Sequence, residues 1–188
     1  MPPATTDTPP QAPPSPWVLR FAALIPAGGP VLDLATGGGR HARLLAARGH
    51  PVLAVDRDAE ALVDLAGRPG IACETADLEA SPPWSPGPRR FAGIVVTNYL
   101  WRPLLATLPG WLEPGGILIY ETFAQGNERF GRPRNPDFLL RPGELTAAFA
   151  PALRIVAYEH GAVAEPRPAV IQRICAAAGP DPHILPAA

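Results

Sequence analysis

Lysine is missing from this sequence: all 16 basic residues are arginine, set against 17 acidic residues for a net charge of -1. That balance gives neither the basic face of a nucleic-acid binder nor an acidic tail. Beside abundant alanine, glycine and proline, the lysine gap reads as coding bias. Cysteine is scarce. Cys73 and Cys175 have no Cys-x-x-Cys or metal-ligand spacing, which excludes a disulfide framework and predicts two reduced core thiols in a cytoplasmic protein. The histidines, cysteines and acids form no ligand pattern, so no metal is expected. No apolar run approaches the roughly 20 residues of a membrane span. No basic stretch leading into an apolar core opens the sequence, so no secretory leader is expected.

What is present fits one domain: 188 residues, 47% of them apolar, enough for a core without staples. The 27 prolines are concentrated in connections and in the opening MPPATTDTPPQAPPSP. Residues 1–16 are predicted to be a disordered, partly polyproline tail, 17–178 the folded domain and 179–188 a flexible tail. Trp17, Phe21, Leu24 and Ile25 recur at helical spacing. Strands are predicted at 31–34, 52–55, 71–75, 94–97, 117–122, 153–158 and 169–176. Helices are predicted around 44–46, at 59–66 behind an Asp58 cap, at 104–112 and at 144–149, with a long polar loop over 124–142. Strands alternating with helices predict a Rossmann-like, doubly wound, mostly parallel seven-stranded α/β sheet. The last two strands have no helix between them, so one strand near the edge should run antiparallel.

The main chemical signal is Val31-Leu32-Asp33-Leu34-Ala35-Thr36-Gly37-Gly38-Gly39-Arg40, a strand running through glycines into a helix. Glycines let the backbone turn sharply and a ligand approach closely. Gly37-x-Gly39-x-x-Ala42 also fits a dinucleotide fingerprint, in which helix N–H groups hold a pyrophosphate. Asp33, read as facing that position, disfavours a second anion and suits the ammonium and sulfonium of S-adenosylmethionine (SAM). Asp56 ends the second strand, where a carboxylate accepts ribose hydroxyls in NAD and SAM proteins alike. Asp77 follows the third strand, placed to accept from an adenine amino group with Leu78 against the ring.

With these residues in view, the chain resembles the class I SAM-dependent methyltransferases. Asp33 to Gly39 resembles their glycine motif, Asp56 their ribose acid and Asp77 their adenine acid. Val95-Val96-Thr97-Asn98-Tyr99 is similar to their fourth-strand motif, and Leu112-Glu113-Pro114-Gly115-Gly116-Ile117-Leu118 to their helix–strand junction. Ala35 stands where the pattern often has glycine. Gly37-Gly38-Gly39-Arg40-His41 through Gly49, with Val52 to Asp58, further resembles the compact bacterial tellurite-resistance and thiopurine-type methyltransferases. The resemblance implies SAM as cofactor, held by Asp33, Ala35, Gly37, Gly39, Arg40, Asp56, Arg57, Asp77, Leu78 and Asn98.

Ligands of such sheets bind beyond the carboxyl ends of the strands. That expectation places Tyr99, Trp101, Arg102 and Phe123 around the substrate, with Phe130 and Arg132 from the long loop. The loop's arginines suit either a lid over a planar or anionic substrate or a solvated face. The function expected is methyl transfer by in-line displacement to a small-molecule acceptor, a thiol or oxyanion among the candidates. Glu121 and His160 are the candidate bases. His41 is read as a cofactor contact or a helix cap, and His50 as structural. Methylation of RNA or protein, or a non-catalytic SAM-binding subunit, are the alternatives, with an NAD-linked oxidoreductase behind them. Thr97-Asn98-Tyr99-Leu100 lacks the Pro-Pro of nucleic-acid amino-methyltransferases, which disfavours a nucleic-acid partner; no membrane partner is expected.

Overall fold

The computed structural model describes residues 12–179 and 184–187. Residues 1–11 of the expected N-terminal tail, and 180–183 (with His183) and 188 of the C-terminal one, lie outside the described residues. The elements run α1 (Pro16–Phe21), β1 (Val31–Leu34), α2 (Arg40–Ala47), β2 (Val52–Asp56), α3 (Ala59–Val63), β3 (Ile71–Thr75), β4 (Phe91–Thr97), α4 (Arg102–Leu105), β5 (Leu112–Phe123), α5 (Glu144–Phe149), β6 (Arg154–Val163) and β7 (Ala169–Ala177). They form one sheet in the order β3-β2-β1-β4-β5-β7-β6. Strands β1 to β5 run parallel, and β7 is antiparallel to both β5 and β6. This is the mostly parallel seven-stranded sheet, with its reversed strand next to the edge, that the alternation predicts. No helix among the described residues is long and apolar enough to cross a membrane.

Side chains on a strand point alternately to its two faces. Val31, Val95, Ile119 and Cys175 pack with Trp17, Phe21 and Leu45 on the α1–α2–α3 face. Leu32, Ile94, Tyr120 and Ile174 pack with Leu104 and Phe149 on the α4–α5 face. The same alternation carries Asp33, Thr97, Glu121 and Arg173 onto the first face, where they form a polar tier at the end of the apolar core.

The structure differs from the expected elements where proline and hydrogen bonding decide. The helix expected over 104–112 splits into α4 and a 3-10 turn at Leu108–Trp111, because Pro109 cannot donate to a helix ladder. Order also begins before Trp17: Ser15 is buried and caps α1 by accepting from the Trp17 N–H at 3.1 Å. Cys73 is exposed rather than in the core, because β3 is the edge strand and is only thinly covered.

Candidate functional site

The glycine turn is built from inside. Asp33 is 1% exposed and accepts from the Thr36 hydroxyl at 2.5 Å. Burial raises its pKa to about 7, against hydrogen bonds from Thr36 and the Ala42 backbone that pull it down. The carboxyl therefore ties the turn to α2 and is not on the cavity wall, where the sequence reading expected it. Strand alternation sends it toward the α2 face. Gly39 has φ +74°, and a Cβ there would lie 2.3 Å from Leu65 Cδ1. The Gly37 N–H donates to Asp56 Oδ2 at 2.7 Å, and Asp58 N–H donates to Asp56 Oδ1 at 3.0 Å. Arg40 reaches the Pro13 carbonyl at 3.1 Å. Gly37, Gly39 and Arg40 thus shape the turn behind the cavity wall.

A cavity of about 510 Å³ opens beyond the carboxyl ends of the parallel strands, within the usual size for a small-molecule site. Ala35 and Asn98 lie on its wall, where β1 and its neighbour β4 end. Their φ values of 50° and 56° make them the two non-glycine residues with left-handed backbone among those described. Strain of this kind collects at ligand sites. Asn98 is held there by its own N–H, which donates to the Glu121 carbonyl at 2.9 Å. The β2–β3 end carries Asp56, Arg57, Ala76, Asp77, Leu78 and Glu79. The other end carries Leu100, Thr122 and Phe123, with Pro133 and Phe138 from the 124–142 loop. Tyr99 also lines the cavity. Its hydroxyl donates to Glu79 at 3.2 Å, and burial, reinforced by Glu79, pushes its pKa up so that it stays a phenol.

Of the residues expected at the cofactor, Ala35, Asp56, Arg57, Asp77, Leu78 and Asn98 come together on this wall; of those expected at the substrate, Tyr99 and Phe123 do. The others are elsewhere. Arg102 clamps the loop: it bonds both oxygens of Glu144 at 2.6 and 3.1 Å, and the carbonyls of Asp137 and Leu139 at 2.7 and 2.9 Å. Four of its five N–H donors are thus used within the structure, and it is not on the cavity wall. Trp101 packs on the α4–α5 core. Phe130 and Arg132 are exposed outside the wall.

Both candidate bases also lie off the cavity. Glu121 points to the opposite face, accepting from the Ser15 hydroxyl at 2.9 Å and pairing with Arg173 at 3.3 Å. His160 is exposed on the edge strand β6. His41 is buried in the same tier as Glu121: its Nε2 accepts from the Ser15 N–H at 3.0 Å, so its proton sits on Nδ1, 3.4 Å from Thr97 Oγ1. Burial, with Arg40 nearby, drops its pKa to about 3. His50 is structural, Nδ1 donating to the Gly29 carbonyl at 3.0 Å.

Ala76, Glu79 and Leu100 on the wall were passed over by the sequence reading, although the place of Glu79 two residues beyond Asp77 was a usable signal. Buried Gln172 was also missed. It donates to the Arg141 carbonyl at 2.6 Å and accepts from the Tyr158 hydroxyl at 3.1 Å, pinning the loop's end to β7. Among the described residues no group of three His, Cys, Asp or Glu could hold a metal ion.

No protein-family model matches the sequence, and no curated protein matches it. Solved structures do. The chain is similar to TehB from Haemophilus influenzae (TM-score 0.67, 18% identity), aligning over 83% of its own length and 59% of that chain. It is similar to an S-adenosylmethionine-dependent methyltransferase from Mesorhizobium loti (TM-score 0.66, 20% identity, 84% of this chain and 95% of that one). It is also similar to the glycopeptide N-methyltransferase MtfA, solved with S-adenosylhomocysteine (TM-score 0.61, 20% identity, 86% and 88%). The fold is that of the class I SAM-dependent methyltransferases.

Proposed function

We propose that this protein is a SAM-dependent methyltransferase acting on a small-molecule acceptor. The observation that carries the reading is the cavity wall at the β2–β3 end, where Asp56, Asp77 and Leu78 stand together beside the left-handed Ala35 and Asn98. Asp56 accepts two backbone N–H groups. A carboxylate has about four lone-pair sites, so two remain for a pair of ribose hydroxyls. Asp77 accepts from the Glu79 N–H at 3.0 Å and keeps an oxygen for an amino group, with Leu78 as an apolar wall for a ring. The Gly37 N–H is engaged by Asp56, which leaves the turn poorly suited to a pyrophosphate and argues against a dinucleotide. SAM, when bound, supplies a methyl group on a sulfonium with a neutral thioether as leaving group. The protein's own task is then to orient, to exclude water and to hold the acceptor in line.

The test is calorimetry with S-adenosylhomocysteine and NAD side by side. Micromolar binding of S-adenosylhomocysteine, no response to NAD and a loss of at least about tenfold in affinity in Asp56→Ala, or 1.4 kcal/mol, is the expected result. NAD binding, or full affinity in Asp56→Ala, would overturn the assignment.

A further inference from the structure

We infer that the acceptor is a flat, largely apolar molecule presenting an uncharged amine nitrogen, rather than an oxyanion or a thiolate. The inference rests on the SAM reading of the β2–β3 end and concerns the other end of the same cavity.

Strand order sets the layout. From β2 to β5 the sheet crosses β1 and β4, three spacings of about 4.8 Å, or about 14 Å. A ligand with its ribose on Asp56 at β2 directs its methyl toward the ends of β1 and β4, where Ala35 and Asn98 stand. The acceptor is left with the ends of β4 and β5 and the loop above them. The side chains there are Leu100, Thr122, Phe123, Pro133 and Phe138, beside Asn98 and Tyr99. These are flat and apolar faces with a hydroxyl and an amide. The charged groups on the cavity wall are Asp56, Asp77 and Glu79 against Arg57, and Glu79 is the one that reaches the acceptor end, 3.2 Å from the Tyr99 hydroxyl. That wall carries a surplus of negative charge, which attracts a sulfonium and repels an anionic acceptor.

The loop arginines do not reverse this balance. Arg129 donates to the Gly126 carbonyl at 3.1 Å and lies over Phe130, while Arg132 and Arg134 are exposed away from the wall. Arg167 covers the Phe123 ring, 5.5 Å from its centroid, and is not part of the cavity wall.

The chemistry agrees with the lining. A phenol or a thiol must lose its proton before it attacks. Glu121 is paired with Arg173 on the opposite face of the sheet, His160 is on the far edge strand, Tyr99 is held as a phenol by burial and Glu79, and Glu79, the carboxylate nearest the acceptor end, is engaged as acceptor to the Tyr99 hydroxyl. An uncharged amine needs no prior deprotonation. Its nitrogen lone pair forms the new N–C bond as the C–S bond opens with its electron pair going to sulfur. The positive charge passes to nitrogen, and an N–H proton then leaves to water. The acidic wall stabilises that cationic product.

The experiment uses the full chain loaded with S-adenosylhomocysteine, whose binding is first measured by calorimetry. Saturation-transfer NMR then compares four single-ring probes: N-methylaniline, phenol, thiophenol and benzoate. N-Methylaniline should bind, benzoate should not, and Phe138→Ala should weaken amine binding by about tenfold, the scale of one lost aromatic contact, with S-adenosylhomocysteine affinity unchanged. Phe138 is 50% exposed, so its truncation leaves the core intact. In the SAM-loaded protein, the amine should be the probe that is methylated. Failure to bind S-adenosylhomocysteine would defeat the cofactor reading. Normal binding of it with no amine signal, an amine signal indifferent to Phe138→Ala, tighter binding of benzoate, or methylation of phenol or thiophenol in preference to the amine would overturn the acceptor assignment alone.

Discussion

Asp33 and His41 sit within the same polar tier and bend the pH dependence of stability in opposite directions. Asp33 titrates near 7 in the folded protein instead of 3.8, so the folded state holds a proton that the unfolded chain gives up. Its ionisation therefore removes stability as pH rises from about 4 to about 7. His41 titrates near 3 instead of 6.5. The stability it contributes as a neutral ring is complete above 6.5 and is lost as pH falls toward 3. Between pH 4 and 6.5 the two slopes oppose each other. Thermal melts of Asp33→Asn should gain stability with rising pH across that window, and those of His41→Gln should lose it. Identical profiles in both variants and the parent would refute the assignment. The sequence carried part of this. Asp56, Asp77 and Leu78 were legible because a residue just past a parallel strand must stand at the ligand edge, whatever its neighbours. Asp33 was legible as a motif residue but not in direction, which depends on which face of β1 receives α2. Arg102 was misplaced because its partner Glu144 lies 42 residues away, and no local pattern announces such a pair.

At the scale of elements, the 124–142 loop behaves as a fixed wall rather than a free segment. The Gln125 N–H donates to the Leu140 carbonyl at 2.9 Å, and the Leu140 N–H to the Phe123 carbonyl at 3.0 Å, while Arg102 gathers Asp137, Leu139 and Glu144. The Glu144 carboxyl is held below its ordinary pKa by hydrogen bonds from Arg102 and the Arg141 backbone, which outweigh the opposing effect of its burial. Arg102→Ala should open the clamp. Amide exchange at Leu139 and Leu140 should speed up by at least about tenfold, or 1.4 kcal/mol of local opening, with strands β1 and β4 unaffected. Unchanged exchange at those two amides would show that the clamp is dispensable. The strands of the first half were readable as short apolar runs, as strands buried on both faces must be, set off by turn residues such as Gly39 and Gly49 from the helices between them. The expected helix over 104–112 was not, since Pro109 trades it for a 3-10 turn. Ser15 was hidden by the proline-rich composition around it, although its hydroxyl caps α1 and its N–H meets His41.

For the whole molecule, the seven strands form one sheet, and a ligand across the ends of its central strands should stabilise the folded state as a whole. S-Adenosylhomocysteine at about a hundred times its Kd should add about 2.7 kcal/mol, raising Tm by roughly 5–10 °C for a domain of this size. No shift in Tm despite calorimetric binding would mean that the bound state and the folded state are not linked as described. Strand order was partly legible at this scale. Helix-separated strands implied the parallel core, and the missing crossover between the last two strands implied the reversal. Which neighbour receives β7 was not written locally, because β5 offers it an open edge more than 40 residues upstream.

That placement of β7 has a consequence for how the protein is made. The strand lies inside the sheet, between β5 and β6, yet it is the last of the seven to leave the ribosome. Until it arrives, β5 presents twelve residues of largely buried sequence with an unpaired edge, open to any strand that comes by. The early strands can pair during synthesis, but β5 stays exposed until residues 169–177 are free to slot in beside it. The interval between those two events is when a nascent chain of this protein is most open to mispairing with another, and when a chaperone would find it most useful to bind.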